Sequence, residues 1–324
     1  MSKILVIGGA GYIGSHVVKS LLNSGQEVAV FDNLSTGLRE NLFPQTQFIE
    51  GDIVDSAKID QAMSKNIDGV IHLAAKKAIG ESMTNPEIYS VNNLCGAINI
   101  LNSMAAQGVK KIIFSSSAAT YGEPQYLPVD EKHPTNPINY YGFTKLEVER
   151  LMAWYDQLKG IKFAALRYFN AVGYDVDGRI KGLEKNPGNL LPIVMEAAAG
   201  TRDKVQIYGN DYETPDGTCI RDYIHVNDLG DAHVRALAYL TDKQKSLTVN
   251  LGTENGISVR EIIEAVKRIS GRDFPVEIAP RRPGDPPKLI ASSQKARELL
   301  GWAPTHSDLE TIIKSMLRAY GLNN

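Results

Sequence analysis

A run of glycines constrains the start of this chain more than any other feature. Ile4-Leu5-Val6-Ile7 is a short apolar strand, and Gly8-Gly9-Ala10-Gly11-Tyr12-Ile13-Gly14 follows it directly and opens a helical pattern. The run satisfies G-x-x-G-x-x-G and, from Gly9, G-x-G-x-x-G. A chain that turns this sharply from strand to helix needs residues without a Cβ, so that backbone can approach a pyrophosphate and the helix can pack on the strand. The helix start then offers free N–H groups and a positive dipole end to an anion. An ordinary turn would accept the same pattern; its place between the first strand and the first helix is what favours a dinucleotide. Met1-Ser2-Lys3 in front of four apolar residues is too short to be a signal peptide.

The first half continues as strand then helix. Strands are expected at Ile4–Ile7, Val28–Phe31, Gln47–Ile49, Gly69–His72, Lys111–Ser115 and Lys162–Tyr168, with helices near Tyr12–Asn23, Ser56–Ser64, Pro86–Gln107 and Tyr141–Lys159. Several strands are continuous apolar runs, as strands covered on both faces are. The expected fold is α/β, a doubly wound parallel Rossmann-type sheet. After about Ala171, Gly, Pro and Asn become frequent. Helices are expected from near Asn189, at Val226–Leu240, Val259–Ser270, Gln294–Leu300 and Asp308–Tyr320, with strands at Val205–Tyr208, Thr248–Leu251 and Val276–Ile278. This gives a first domain over 1–171 and a smaller α+β C-terminal substrate domain over 172–324, with part of 219–254 a candidate to return to the large sheet. The prolines of 281–287 exclude regular structure there.

Composition closes off other classes of function. The 324 residues carry a formal charge of −2, which leaves no surplus of cations for nucleic-acid binding. No apolar run reaches the roughly 18 to 20 residues that span a bilayer. Two cysteines, Cys95 and Cys219, are too few for a disulfide framework and read as small packed residues. A cytoplasmic protein is expected, with no membrane or nucleic-acid partner.

Four further groups bear on chemistry. Asp32 ends the second strand about 20 residues after the glycines, where a carboxylate can accept from adenosine ribose hydroxyls and would repel a 2′-phosphate; NAD is favoured over NADP. Asp52, after the third strand, suits an adenine contact and an ordinary turn equally. His72-Leu73-Ala74-Ala75 ends the fourth strand with small residues, His72 itself reading as core. Tyr141 and Lys145 stand four apart on one helix face. An ammonium beside a phenol favours the phenolate and lowers its pKa, which makes a general base. Taken alone, the pair is as often a surface aromatic–cation contact. Ser115-Ser116-Ser117 ends the fifth strand, at the edge where open sheets bind ligands, though a capping cluster would look the same. Their joint occurrence in this order is what argues for an enzyme.

With these segments in view, the sequence resembles the UDP-glucose 4-epimerase branch of the extended short-chain dehydrogenase/reductase family. The similarity runs from GGAGYIGSH (Gly8–His16) to ELLGW (Glu298–Trp302), through FDNLSTG (Phe31–Gly37), GDI (Gly51–Ile53), HLAAKKAIGES (His72–Ser82), FSSSAATYG (Phe114–Gly122), YYGFTK (Tyr140–Lys145), RYFNAVG (Arg167–Gly173) and RRPGD (Arg281–Asp285). Glycines and Tyr/Lys mark only the superfamily; GNDYETPDGTCIRDYIHVNDL (Gly209–Leu229) is far more specific.

The resemblance implies an isomerase that interconverts UDP-galactose and UDP-glucose through a 4-keto sugar, with tightly held NAD and no net redox. By that similarity Tyr141 would be the base, Lys145 would hold the nicotinamide ribose, and Ser117 would hold the sugar 4-OH. NAD would also meet Gly8, Gly11, Tyr12, Ile13, Gly14, Asp32, Asn33, Thr36, Gly37, Asp52, Ile53, Leu73, Ala74, Ala75, Lys77, Asn92, Ser115 and Tyr168, with Phe169 beside the last. The UDP half would meet Asn170, Asn189, Leu190, Ile207, Tyr208, Arg221, Tyr223, Arg282, Asp285 and Leu289. Without the family, Arg221 and Arg282 read as solvated surface charge. A homodimer through Pro86–Gln107 and Tyr141–Lys159 is implied. No metal is: His225 and His233 form no ligand set, and the hydride chemistry needs none.

Rival readings remain. A 4,6-dehydratase would need an acidic pair after the catalytic hydroxyl, where Ala118-Ala119 stand. A UDP-N-acetylglucosamine 4-epimerase or dual-specificity enzyme would need room at C2. The family gates that room four residues beyond Asp285, at Leu289, which is intermediate in size. A net-redox dehydrogenase would exchange NAD freely, and a non-catalytic nucleotide sensor would have lost the Tyr/Lys pair.

Overall fold

The computed structural model describes residues 2–184, 187–282 and 285–322. Strands β1 (Lys3–Ile7), β2 (Glu27–Asp32), β3 (Gln47–Glu50), β4 (Gly69–His72), β5 (Lys111–Ser117) and β6 (Lys162–Tyr168) alternate with helices α1 (Tyr12–Asn23), α2 (Ser56–Met63), α3 (Ile79–Thr84), α4 (Pro86–Tyr89), α5 (Gly96–Gln107) and α6 (Tyr140–Lys159). The second half brings β7 (Asn170–Val172), α7 (Leu190–Ala198), β8 (Val205–Tyr208), β9 (Ile220–His225), α8 (Val226–Lys243) and β10 (Leu247–Leu251). It ends with β11 (Gly256–Ser258), α9 (Val259–Ser270), β12 (Val276–Ala279), β13 (Lys288–Leu289), α10 (Gln294–Leu300) and α11 (Leu309–Ala319).

Seven strands form one parallel sheet in the order β10-β6-β5-β4-β1-β2-β3. The apolar strands explain its two covered faces. In β1, Ile4 and Val6 enter the core under α1 and α8, while Leu5 and Ile7 enter the opposite core under α2 and α5. Each such side chain contributes about 1.5–3 kcal/mol on burial. Because β2 and β4 flank β1, the chain leaves it in opposite directions, and a crevice opens at the carboxyl ends of β1 and β4.

A smaller lobe packs at that carboxyl edge around its own core, which includes Val172, Leu191, Met195, Ile207, Ile262 and Met316. Its strands are β9, flanked by β7, β11 and β13, and the parallel pair β8–β12. The capping box of Ser258 and Glu261 starts α9.

Three details differ from the sequence expectation. The single helix over Pro86–Gln107 is broken by a π-helical turn at Ser90–Cys95. There Gly96 lies against Ile53, whose Cδ1 a Cβ would meet at 2.5 Å, and Asn93 turns inward. Strands β7, β9, β11 and β13 were not expected, because they are short and β9 carries charge. Its Asp222 is fully buried, accepting from Thr253 N at 2.7 Å, Glu254 N at 3.0 Å and Ala291 N at 3.1 Å. Cys219 is buried as expected, but Cys95 is exposed on the π turn. Pro283 and Gly284, in the proline-rich loop, lie outside the described residues.

Candidate active site

The glycine run builds a cradle at the crevice. Gly8 has φ +84°, and a Cβ there would stand 2.7 Å from the backbone nitrogen of Ala74; one on Gly14 would stand 2.0 Å from the Gly8 carbonyl oxygen. Backbone therefore crosses backbone, and α1 starts with Gly11 as its N-cap and no side-chain cap, leaving its first-turn N–H groups to an incoming anion. Asp32, at the end of β2, accepts from Ala10 N at 3.0 Å and Leu34 N at 2.8 Å, so it also fastens the cradle. Burial raises its pKa, and those two bonds oppose the rise. Asn33 donates to Asp52 at 2.7 Å, Thr36 is exposed, and Gly37 passes against the Asp32 carboxylate. Leu73 N and Ala74 N both donate to the Ile7 carbonyl, at 2.9 and 3.1 Å, which brings Leu73, Ala74 and Ala75 to the same edge.

Other predicted cofactor residues have partners within the protein. The Tyr12 hydroxyl donates to the Gly173 carbonyl of the smaller lobe, and Ile13 packs on the core under α1. Ile53 is buried beneath Gly96. Lys77 is ion-paired with Glu184. Asn92 is half-buried, while its neighbour Asn93 is buried and clamps the loop after β4. Asn93 accepts from Lys76 N at 2.8 Å and donates to Lys76 O at 3.0 Å and to Thr144 Oγ1 at 3.1 Å. Sequence reasoning missed Asn93; a π turn has no periodicity that would have singled it out.

The end of β5 meets the first turns of α6. Asn139 caps α6 by accepting from Gly142 N at 2.8 Å, and a Cβ on Gly142 would strike the Ala119 carbonyl oxygen at 2.4 Å, so α6 sits hard against the serine run. Lys145 is 3% exposed, and its Nζ donates to the Ser115 carbonyl at 2.7 Å. Ser117 Oγ accepts from Ala119 N at 3.2 Å, and its hydroxyl is near enough to the Tyr141 phenol to oppose the rise in its pKa. Tyr168 is buried, with its hydroxyl 2.6 Å from His233 Nε2.

The protonation pattern corrects the sequence expectation of a lowered phenol pKa. Burial pushes Tyr141 up to about 12, opposed by the Ser117 hydroxyl. Burial pulls Lys145 down to about 7, opposed by Glu149. Removing water from each group sets the direction of its shift; Nζ lies 5.8 Å from the phenol ring centre and donates to a carbonyl.

A cleft of about 470 Å³ runs from β7 into the smaller lobe. Asn170, Asn189, Leu190, Tyr208, Arg221, Tyr223, Arg282 and Asp285 line it. Arg221 is largely buried and pairs with Asp285 at 3.1 Å, and the Arg282 guanidinium stands 3.8 Å from the Tyr208 ring centre. Ile207 is not on the wall, because alternation along β8 turns it into the core. Leu289 is half-buried in β13, opposite Arg221 in register, and is not on the wall either.

Residues 4–252 match the NAD dependent epimerase/dehydratase family. The chain belongs to that family. Among its epimerase/dehydratase relatives is a UDP-glucose 4-epimerase of Lacticaseibacillus casei, 49% identical over 96% of this chain and 95% of that one. A solved UDP-glucose 4-epimerase from Brucella ovis, in complex with NAD, is 46% identical, covers 100% of this chain and 99% of its own, and superposes with a TM-score of 0.97. That from Bifidobacterium longum, in complex with NAD+ and UDP, is 39% identical over 99% of both chains, with a TM-score of 0.93. The family's cofactor fits what the chain presents: a cradle that any Cβ would fill, and a largely buried carboxylate at the end of β2.

Proposed function

We propose that the chain is a UDP-glucose 4-epimerase, an NAD-dependent isomerase that interconverts UDP-galactose and UDP-glucose. The observation that carries this reading is the meeting of Ser117, Tyr141 and Lys145 at the end of β5, with Lys145 beside Ala74 and Ala75 of the crevice edge, in a chain whose smaller lobe holds a cleft with two arginines. NAD, when bound, supplies the hydride acceptor and donor, so that oxidation at C4 is reversed before product leaves. Tyr141 takes the 4-OH proton and returns it, and Ser117 holds that hydroxyl. The Lys145 ammonium steadies the phenolate and the nicotinamide ribose. Ser115 fixes Lys145 through its carbonyl, and Tyr168 backs the nicotinamide side.

Asp32 would accept from the adenosine ribose of NAD, with Asn33, Asp52 and Ile53 on the adenine side. The Gly8–Gly14 backbone would take the pyrophosphate, and Lys77 and Asn92 would complete the pocket. On the substrate, Arg221 and Arg282 hold the diphosphate, as guanidinium groups do best. Asp285 takes the uridine ribose, and Asn170, Asn189, Leu190, Tyr208 and Tyr223 shape the remaining wall. Residues 1–171 with α8 and β10 make the cofactor lobe, and the rest of 172–324 the nucleotide lobe.

We read the protein as a cytoplasmic homodimer. Its two cysteines are free thiols, and exposed Val91, Trp154 and Leu158 lie on the helical face expected to pair. Among the described residues no helix is long and apolar enough to cross a membrane. Light scattering of the purified protein checks the dimer.

The deciding experiment offers UDP-galactose and UDP-N-acetylgalactosamine separately to purified protein without added NAD, with products read by proton NMR. Conversion of UDP-galactose to its 4-epimer, with NAD released on denaturation, is expected. Formation of NADH from added NAD in step with an oxidised sugar, without epimer, would make it a dehydrogenase.

A further inference from the structure

The stripe carrying Tyr141 and Lys145 continues for one more turn. Positions 141, 145 and 149 share one face of α6, and the third is Glu149, only 7% exposed. Its carboxylate accepts from Arg167 Nε at 3.0 Å and Nη2 at 2.6 Å, and from the Ser116 hydroxyl. Ser116 and Arg167 are register partners across β5 and β6. Three successive serines thus meet three successive turns of the helix. The Ser115 carbonyl holds Lys145, the Ser116 hydroxyl holds Glu149, and the Ser117 hydroxyl faces Tyr141. A buried ion pair is a poor source of stability, since desolvation offsets most of its attraction, so its place one turn from Lys145 calls for another explanation.

The surroundings of Lys145 supply one. Its ammonium stands 4.7 Å from the Phe114 ring, a contact that favours the cation, while its burial favours the uncharged amine. From β4 it faces His72, which burial holds neutral with a pKa of about 3. The neighbouring strand β6 carries Tyr168 and Arg167, the latter committed to Glu149 and stacked 4.7 Å from the Tyr121 ring. From α6 come Tyr141 and Glu149. Among the described residues Glu149 is the one anion of this set. It is also the charge that opposes the loss of the Lys145 proton.

We infer that Glu149 is a positioning residue for the proposed epimerisation: held by Arg167 and Ser116, its carboxylate keeps the Lys145 ammonium charged in a dry site, and the charged ammonium favours the Tyr141 phenolate. Arg167 keeps that carboxylate pinned. The inference rests on the epimerase reading, so its test includes a measurement that needs no turnover.

The test follows the Cε chemical shift of Lys145 across pH by NMR on holoenzyme carrying 13C-labelled lysine, with Lys145→Arg to assign the signal, beside the pH profile of kcat. In Glu149→Gln the titration midpoint is expected about one pH unit lower, which is roughly tenfold more free amine at a fixed pH above both midpoints. The alkaline limb of kcat should move with it, at unchanged KM. Glu149→Asp, which keeps the charge, should hold the wild-type midpoint. Should the Gln variant not fold, Glu149→Met/Arg167→Met replaces the whole buried pair by apolar groups, a change proteins commonly tolerate, and its midpoint should also fall, by less than in Glu149→Gln because the opposing Arg167 charge leaves with the carboxylate. A wild-type midpoint in Glu149→Gln or in the double variant, or equal shifts in the Gln and Asp variants, overturns the inference. If wild-type protein does not epimerise but the Gln midpoint still falls, the charge relation stands and the epimerase reading fails.

Discussion

The corner between β5 and α6 and the cleft of the smaller lobe are built on opposite principles. In the corner, Lys145, Ser115, Ser116 and Glu149 are all less than a tenth exposed, and each polar group is spent on a partner within the protein. The cleft keeps its cations nearer to water: Arg221 pairs with a partly exposed Asp285, and Arg282 lies open over Tyr208. Proton transfer needs atoms held to a fraction of an ångström where charge is felt strongly. A diphosphate needs guanidinium groups that can exchange their present partners for it. The same chain supplies a site that must not move and one that must be ready to rearrange.

The sharpest way to break this contrast is Tyr141→Phe. Loss of a general base typically costs about 10²–10⁴-fold, so kcat should fall by about a thousandfold while UDP binding by calorimetry stays unchanged; a parallel loss of UDP affinity would mean that the two regions are not separate. Acid comes next. Burial lowers His233 to about 4, so it is neutral in the folded protein. Below the unfolded value of about 6.5 the unfolded chain takes up a proton that the folded one refuses. The stability is therefore complete above about 6.5 and is lost as pH falls toward 4, by roughly 3 kcal/mol from this one residue. His233→Gln, which keeps a partner for the Tyr168 hydroxyl, should flatten the fall in melting temperature over that range; an unchanged slope would refute the assignment.

The cleft should respond differently. A charge-assisted hydrogen bond is worth about 1.5–3 kcal/mol, so Arg221→Ala should raise the KM for UDP-galactose roughly 10–100-fold with kcat nearly unchanged. Arg282→Ala, at the more exposed cation, should raise it only a few-fold. A kcat effect from either arginine as large as that of Tyr141→Phe would erase the distinction between fixed chemistry and adaptable recognition.

How much of this was legible in the sequence follows the same division. The large sheet was readable because residues such as Ile4–Ile7 and Val28–Phe31 are apolar on both faces, a signal carried by each strand alone. The cradle was readable because only glycine fits where backbone crosses backbone, at Gly8 and Gly14. The strand β9 was hidden, because Asp222 looks like surface charge until backbone N–H groups from two distant segments converge on it. Asn93 was hidden by the π turn, and the direction of the Tyr141 pKa by burial, which no spacing reveals. Without the family resemblance, Arg221 would have passed for solvent-facing charge, and its pairing with Asp285 depends on a contact spanning more than sixty positions.

The return of β10 to the outer edge of the large sheet has a practical meaning for anyone wishing to take this molecule apart. A cut after Ala171 would strip β10 from β6 and α8 from α1, and would leave the buried Lys19 without Asp175. The dinucleotide half therefore cannot be produced by truncation. A chimera that borrows sugar recognition from a relative would have to graft separate inserts on either side of α8 and β10, rather than exchange one tail for another.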